Sequence, residues 1–227
     1  GPGTGYRLSE ARREEIVAIR DVLTRQEVLR GEAQFRPAEV TRIAYRPVGP
    51  AAATGNPREV VIGISPAFGV KLFQTVAGHP LSAILRVLIS GIAEGGCTAR
   101  VVRMLHTADT SFLGLSAARL AGSGIGIGIQ AKGTAVIHQR DRLPHNNLEL
   151  FSNSPITKLE HYKRMGLNAA AYARGEMPEP VIVPTRGEAM GSRYHARVSM
   201  IYAIETEMTS EGAEPEEIDI KFLGAAA

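Results

Sequence analysis

The stretch that decides the fold is GSGIGIGIQAKGT, residues 122–134. Glycines occupy every second position from 122 to 128, and isoleucines occupy the alternate positions from 125 to 129. Because successive side chains of a strand point to opposite faces, one face is bare and the other carries branched apolar side chains. Each glycine costs about 0.5–1 kcal/mol relative to alanine in a strand. The alternation therefore predicts that something flat, either another backbone or a large ligand, lies close to the bare face.

Lys132 follows this strand as a single positive charge just beyond its carboxyl end. In open α/β sheets, ligands bind at the carboxyl ends of the strands, so we expect a ligand site here. Two structural alternatives stay open. The bare face can instead pack against a helix, and Lys132 can be a solvated surface lysine.

Patterns typical of strands and helices alternate on both sides of this stretch. Strands are predicted at residues 59–65, 99–105, 135–138 and 198–207, and helices at residues 82–94, 110–120 and 156–174. Strand, crossover helix and strand in this order predict a mostly parallel sheet with right-handed crossovers. The expected fold class is α/β, with a Rossmann-like, mostly parallel sheet flanked by helices.

The two ends of the chain differ from this pattern. An amphipathic helix is predicted over residues 9–31, with Ser9 as its N-cap. Prolines then interrupt the chain as far as Pro57, which is typical of a linker. The predicted domains are a helical extension (1–33), a linker (34–57) and an α/β domain (58–227), with ordered domain structure from about Arg58. The tail from Ser210 is acidic, and we expect it to be partly loose, with solvation explaining its glutamate pairs.

The composition argues against several classes of protein. The formal net charge of +3 is spread without blocks of like charge, so no nucleic-acid partner is expected. No apolar run reaches the ~18 residues that a membrane-spanning helix requires, so no membrane partner is expected. The single cysteine, Cys97, suits a reducing compartment and a small buried hydrophobe rather than a nucleophile.

Several catalytic and binding motifs are missing. A dinucleotide-binding GxGxxG pattern fails because Ile127 and Ile129 stand where glycine is required. The sequence has no GxxxxGK[ST], GxSxG or HExxH motif, and its six histidines lack metal-ligand spacing. The residues alone therefore predict a ligand-binding α/β domain rather than a self-sufficient enzyme.

Longer stretches from about Glu59 to Arg174 carry a family resemblance. They are VVIGISPAFG, SAILRVLISGIAEGG, ARVVR, SGIGIGIQAKGTAVIHQRD, NLELF and NAAAYARGE, in this order. This half of the chain closely resembles the medium (β) subunit of adenosylcobalamin-dependent diol and glycerol dehydratases. The resemblance implies a non-catalytic portion of a hydro-lyase that shares coenzyme B12 with the large subunit. The large subunit would carry the substrate, the metal ion and the radical dehydration.

The resemblance also implies partners and a location. The partners would be the large and small dehydratase subunits, in a dimer of heteromers, and a reactivating factor. The enzyme would be cytoplasmic, and some family members are packaged in a bacterial microcompartment. The first residues, GPGTGYRLSEARREEI, resemble the C-terminal tail of the large subunit. We therefore expect the chain to be the C-terminal part of a fused large–medium polypeptide.

Site residues follow from the resemblance position by position. Lys132 corresponds to a lysine near the nucleotide phosphate of the cofactor, and a point charge suits a phosphodiester. Asp109 matches an aspartate that accepts from corrin amides, and Asn147 matches an asparagine on the same rim. The structural alternatives are a helix cap for Asp109 and a turn residue for Asn147.

Further cofactor contacts are predicted at four other positions. Ser152 corresponds to a position where the family often has proline. Ser123, with Gly124 and Gly126 of the glycine-rich stretch, would form the bare surface that the cofactor needs. The sequence lacks the DxHxxG motif of base-off cobalamin proteins, so the nucleotide base is expected to stay on cobalt.

Two other functions compete with the dehydratase subunit. The first is the small subunit of a dehydratase-reactivating factor, a chaperone-like protein that is expected to lack the GIGIQAKGT and NLELF segments. The second is a scaffold subunit that binds no cofactor and has its glycine strand packed on protein.

Overall fold

The computed structural model describes residues 43–183 and 192–222. The strands are β1 (Ile43–Pro50), β2 (Glu59–Ile64), β3 (Thr98–Arg103), β4 (Ile125–Ile129), β5 (Ala135–Gln139), β6 (Glu149–Phe151) and β7 (Glu216–Phe222). The helices are α1 (Leu81–Glu94), α2 (Thr110–Leu120), α3 (Leu159–Ala173) and α4 (Ser192–Glu207). The α/β class is confirmed. The predicted helix over residues 9–31 lies outside the described residues.

The seven strands form one sheet in the order β1-β7-β3-β2-β4-β5-β6. Only β2 pairs in parallel, with β3 on one side and β4 on the other, and the other pairs in the described sheet are antiparallel. The prediction of a mostly parallel sheet is therefore wrong. Short connections such as the turn from β4 to β5 allow only antiparallel pairing, whereas the parallel strands are linked by α1 and α2.

Strand β1 lies in the stretch predicted to be a linker. It pairs with β7 along the edge of the sheet, so ordered structure begins before Arg58 and that expectation is wrong. Pro47 and Pro50 are compatible with this strand because an edge strand needs hydrogen bonds on one side only. The register shifts between Pro47 and Gly49. The division into three domains otherwise stays a prediction.

The C-terminal part departs from prediction twice. Residues 198–207 belong to helix α4 and not to a strand, since Met200, Ile201 and Ile204 are buried at helical spacing. Residues 216–222 form β7 and are not loose. The Glu217 carboxylate accepts from Arg100 Nε at 2.8 and 2.9 Å, so its charge is paired within the sheet and not simply solvated.

Helices cover both faces of the central strands. The isoleucines of β4 belong to the main core with α1 and α3. The backbones of α1 and α3 meet closely where Gly91 faces Gly166. A Cβ atom on Gly91 would lie 3.0 Å from the backbone nitrogen of Leu167. None of the helices in the described residues has the length and hydrophobicity that a bilayer-spanning segment requires.

Helix α2 covers the bare glycine face of β4. A Cβ atom on Gly126 would lie 2.7 Å from the carbonyl carbon of Ala117, and one on Gly128 would lie 2.8 Å from the carbonyl oxygen of Thr110. The flat partner of the glycine strand is therefore a helix backbone. The prediction that Gly126 offers a bare surface to a cofactor is wrong, because α2 occupies that surface.

Gly126→Ala is expected to lower the free energy of unfolding by roughly 1–3 kcal/mol, because the added methyl group would clash with backbone atoms of α2 that cannot move independently. Gly55→Ala is the matched control, since nothing lies within 4 Å of its added Cβ atom. Urea unfolding of both variants measures the difference. Equal stabilities would contradict the close packing of α2 on β4.

Candidate functional site

Three loops meet at the carboxyl edge of the parallel strands. They are Ser65–Phe68 after β2, Met104–Asp109 after β3 and Gln130–Thr134 after β4. Ser65 N donates to Ile129 O at 3.2 Å, and Met104 N donates to Ile64 O at 2.9 Å, so the loops continue the sheet's hydrogen bonding. We call these loops the carboxyl edge. Helix α4 contacts this edge through its side chains.

Lys132 is half-buried in the loop after β4. Its ammonium lies 5.3 Å from the ring centroid of Tyr202 on α4, within the range of a cation–π contact. Burial lowers the pKa of Lys132 below its usual value, and the nearby carboxylates of Asp109 and Glu205 oppose that shift. Within residues 43–183 and 192–222, no carboxylate lies within 4.0 Å of the ammonium. A cation without an ion partner is able to bind an anion at this edge.

Asp109 caps the first turn of α2. Its Oδ1 accepts from the backbone nitrogen of Phe112 at 3.2 Å, and its own nitrogen donates to Thr107 Oγ1 at 3.1 Å. Asp109 is therefore a helix cap, as its structural alternative predicted. The carboxylate is nevertheless exposed, and its Oδ2 accepts no hydrogen bond from any described residue. The carboxylate can thus cap α2 and still accept from a ligand.

Glu205 brings a buried carboxylate to the same edge from α4. It is 1% exposed, accepts from the Ser65 hydroxyl, and also accepts from the backbone nitrogens of Ala67 at 2.6 Å and Ala131 at 3.0 Å. Burial raises the pKa of Glu205, against the opposing effect of these hydrogen bonds and of Arg103. The sequence prediction missed this residue, and the only signal for it is the buried helical stripe of α4.

Arg103 ends β3 and is buried beside the loop after β2. Its Nη1 donates to the carbonyl oxygens of Ser65 at 3.2 Å, Pro66 at 3.1 Å and Phe68 at 2.6 Å. Burial lowers the pKa of Arg103, and the charge of Glu205 is one of those that oppose this shift. The guanidinium therefore fixes the loop that also holds Glu205.

Two buried polar atoms at the edge have no partner among the described residues. Gln130 is 3% exposed, and its Nε2 donates to Ala108 O while its Oε1 accepts nothing. His106 Nδ1 is likewise unpartnered. A cavity of about 580 Å³ opens beside His106 and is otherwise lined by Thr209 and residues 211–215. Lys132 and Asp109 do not line this cavity.

The other predicted site residues are spread over both ends of the sheet. Ser152 is exposed and follows β6 beside Ala135, close to the turn that carries Lys132. Asn147 precedes β6 and lies at the opposite end of that short strand. The structure therefore places Asp109 near Lys132, and Ser152 at the same edge. The loop that precedes β6 and carries Asn147 reaches the first turn of α2, where the His145 ring lies 6.5 Å from the Phe112 ring.

Ser123 and Gly124 lie at the amino end of β4, away from the carboxyl edge. The Ser123 hydroxyl donates to Glu59 O and accepts from Ile125 N at 3.1 Å. Gly124 has a φ of 74°, and a Cβ atom there would lie 2.8 Å from Arg140 Nε. These residues shape the start of the strand. The Arg140 side chain covers the face of Gly124, so this glycine does not offer the bare surface predicted for it, and a contact of Ser123 with the cofactor stays a prediction.

Comparison with known proteins gives one family match. A family model described as the dehydratase medium subunit matches residues 65–179, just over half of the chain. The matched residues include all three loops of the carboxyl edge and exclude β1, β2, α4 and β7.

Solved structures of reactivating proteins show weaker similarity. A glycerol dehydratase reactivase is 18% identical, with a TM-score of 0.43, over 52% of this chain and 95% of its own. A diol dehydratase-reactivating factor complexed with ADP and Mg2+ is 18% identical, with a TM-score of 0.39, over 61% of this chain and 99% of its own. These similarities are too low to support an assignment of function.

The proximity of Asp109 and Lys132 can be tested by titration. Asp109→Asn keeps a good N-cap but removes a carboxylate that raises the pKa of Lys132, so that pKa should fall further below its usual value. NMR of ¹³C-methylated lysines measures it. Asp141→Asn is the control, because Asp141 is an exposed aspartate beyond the far end of β5. A pKa of Lys132 that is the same in both variants would contradict the proximity.

Proposed function

The chain belongs to the family of dehydratase medium subunits, and we propose that it binds the nucleotide side of adenosylcobalamin at the carboxyl edge. In this proposal the large subunit carries the substrate and the radical dehydration of a 1,2-diol or glycerol to an aldehyde. The observation that carries the proposal is Lys132, a half-buried cation without a carboxylate partner within 4.0 Å among the described residues, inside the family match.

The donor set of the edge fits this cofactor. A phosphodiester needs a cation, which Lys132 supplies, and corrin amides need acceptors. The free Oδ2 of Asp109 supplies one acceptor, and the buried Oε1 of Gln130 lacks a donor among the described residues. The exposed hydroxyl of Ser152 adds a group of either kind. When bound, the cofactor would supply the radical that starts the dehydration.

This chain's own residues would bind and orient the cofactor. Lys132 would hold the phosphate, and Tyr202 would keep its ammonium over the edge through the ring contact at 5.3 Å. Asp109 would accept from an amide while its other oxygen keeps α2 capped. Asn147 remains a proposed contact, in the loop whose His145 packs against Phe112 of the turn that Asp109 caps.

The proposal extends to the partners and to the origin of the chain. Large and small dehydratase subunits would complete the enzyme, in a dimer of heteromers, and a reactivating factor would exchange the damaged cofactor. We place the enzyme in the cytoplasm or in a bacterial microcompartment. Residues 1–33 would be the tail of a large subunit fused to this domain. A coding sequence without a large subunit directly upstream would contradict the fusion.

Lys132→Ala in the complex assembled with large and small subunits tests the proposal. Loss of a charge-assisted contact to phosphate is expected to weaken adenosylcobalamin binding about 10- to 100-fold without changing subunit assembly. Gel filtration, with absorbance of the co-eluting base-on cobalamin, measures both.

Lys163→Ala is the matched control. Lys163 forms a surface ion pair with Glu94 at 3.0 Å, on the helices and away from the carboxyl edge. Its removal should leave cobalamin retention unchanged. Equal retention in the two variants would count against the phosphate role. A wild-type complex that assembles without cobalamin would instead favour a scaffold or reactivating role.

A further inference from the structure

The peptide nitrogen directly before Lys132 is held by two acceptors. Ala131 N donates to Glu205 Oε1 at 3.0 Å and to Ser65 Oγ at 3.2 Å. The Ser65 hydroxyl in turn donates to the same Glu205 oxygen. Because all three groups are buried, these hydrogen bonds do not compete with water.

One carboxylate therefore connects the loops after β2 and β4. The second oxygen of Glu205 accepts from Ala67 N at 2.6 Å, so a single side chain of α4 fixes both loops. Glu205 lies 74 positions after Ala131 and outside the family match. No local hydrogen bond of the turn substitutes for this contact at Ala131.

The backbone on the other side of Lys132 is also fixed. Lys132 O accepts from Val76 N at 3.3 Å, and Gly133 O accepts from the Tyr162 hydroxyl at 2.7 Å. With the main chain held on both sides, the direction of the Lys132 side chain depends on these anchors. Glu205 is the anchor that α4 supplies, and α4 also supplies Tyr202 over the ammonium.

We propose that Glu205 is a positioning residue, which holds the Ala131–Lys132 backbone so that the Lys132 ammonium meets the phosphate of the ligand. This inference rests on the proposed function. Glu205 acts through Lys132 and does not itself contact the phosphate, since a carboxylate would repel it. Ser65 belongs to the same hydrogen-bond network, because its hydroxyl donates to Glu205 and accepts from Ala131 N.

The test compares two ligands on the assembled complex. Adenosylcobalamin carries the nucleotide phosphate, whereas adenosylcobinamide lacks the nucleotide. Glu205→Gln replaces one carboxylate oxygen by an NH2 group, so that either Ala67 N or Ala131 N loses its acceptor on this side chain, and the turn should shift. We define the affinity ratio as the affinity for adenosylcobalamin divided by the affinity for adenosylcobinamide. This ratio is then expected to fall about 3- to 10-fold, the effect of one weakened contact to a charged group. Ser65→Ala should lower the ratio less, in the same direction.

Glu149→Gln is the matched control. Glu149 is also buried, at 4% exposure, and accepts from a backbone nitrogen, that of Val181, at 2.8 Å, but it lies on β6 away from Lys132. The Glu149→Gln variant should therefore leave the affinity ratio unchanged. Hydrogen exchange of the Ala131 amide gives a readout independent of ligand, and it should speed up in the Glu205 and Ser65 variants only. If Glu205→Gln fails to assemble, Ser65→Ala carries the comparison.

The outcomes separate the two claims. A wild-type ratio close to one overturns the proposed function. A wild-type ratio above one that Lys132→Ala abolishes and Glu205→Gln preserves overturns only the positioning role. A ratio that rises in Glu205→Gln also overturns the positioning role. The rise would mean that the negative charge of Glu205 repels the phosphate and that its hydrogen bonds do not position Lys132.

Discussion

The close contact between α2 and the bare face of β4 is the constraint on which the rest of the structure depends. Gly128 faces the start of α2, with the carbonyl oxygen of Thr110 2.8 Å from the position of a Cβ atom. This contact brings the first turn of α2 to the carboxyl edge, next to the turn that follows β4. Asp109, which caps that first turn, is thereby brought near Lys132. A packing requirement in the core thus places two charges of the site.

Two buried groups of opposite charge then fix the loops of the carboxyl edge. Arg103 and Glu205 are both buried there, one holding carbonyl oxygens and the other holding peptide nitrogens and a hydroxyl. Each group is satisfied mainly by the backbone, so the loops after β2 and β4 have few alternative conformations. Between these fixed loops, the one contact that the described residues make with the Lys132 ammonium within 5.3 Å is the ring of Tyr202. An exchangeable contact of this kind suits a residue that takes a ligand.

Sequence patterns predicted the elements of the central fold because each has one consistent period. The helix over residues 110–120 and the glycine strand are confirmed, and so is the expectation that Cys97 is buried. The ends of the fold were mispredicted for local reasons. Proline concealed β1, which tolerates it as an edge strand, and the apolar residues of α4 fit both a two-residue and a helical period. Only the partners of these elements in the sheet and core decide between such patterns.

The site was predictable only in part. The carboxyl-edge rule and the family resemblance both pointed to Lys132, and the structure places Asp109 near it. The alternating glycines predicted a flat neighbour but could not tell a helix from a cofactor, which is why Gly126 was misassigned. Glu205 had no signal beyond the apolar stripe of α4, because its partners are two backbone nitrogens and a hydroxyl in distant loops. Contacts made with the main chain leave no residue pattern in a sequence.

The central claim is that adenosylcobalamin binds at the carboxyl edge of this chain. Hydrogen exchange of the assembled complex, with and without adenosylcobalamin, tests it most directly. The account predicts slower exchange on cofactor binding at residues 107–112 and 130–134, and unchanged exchange at residues 122–126. Protection confined to residues 122–126, or absent from all three segments, would contradict it.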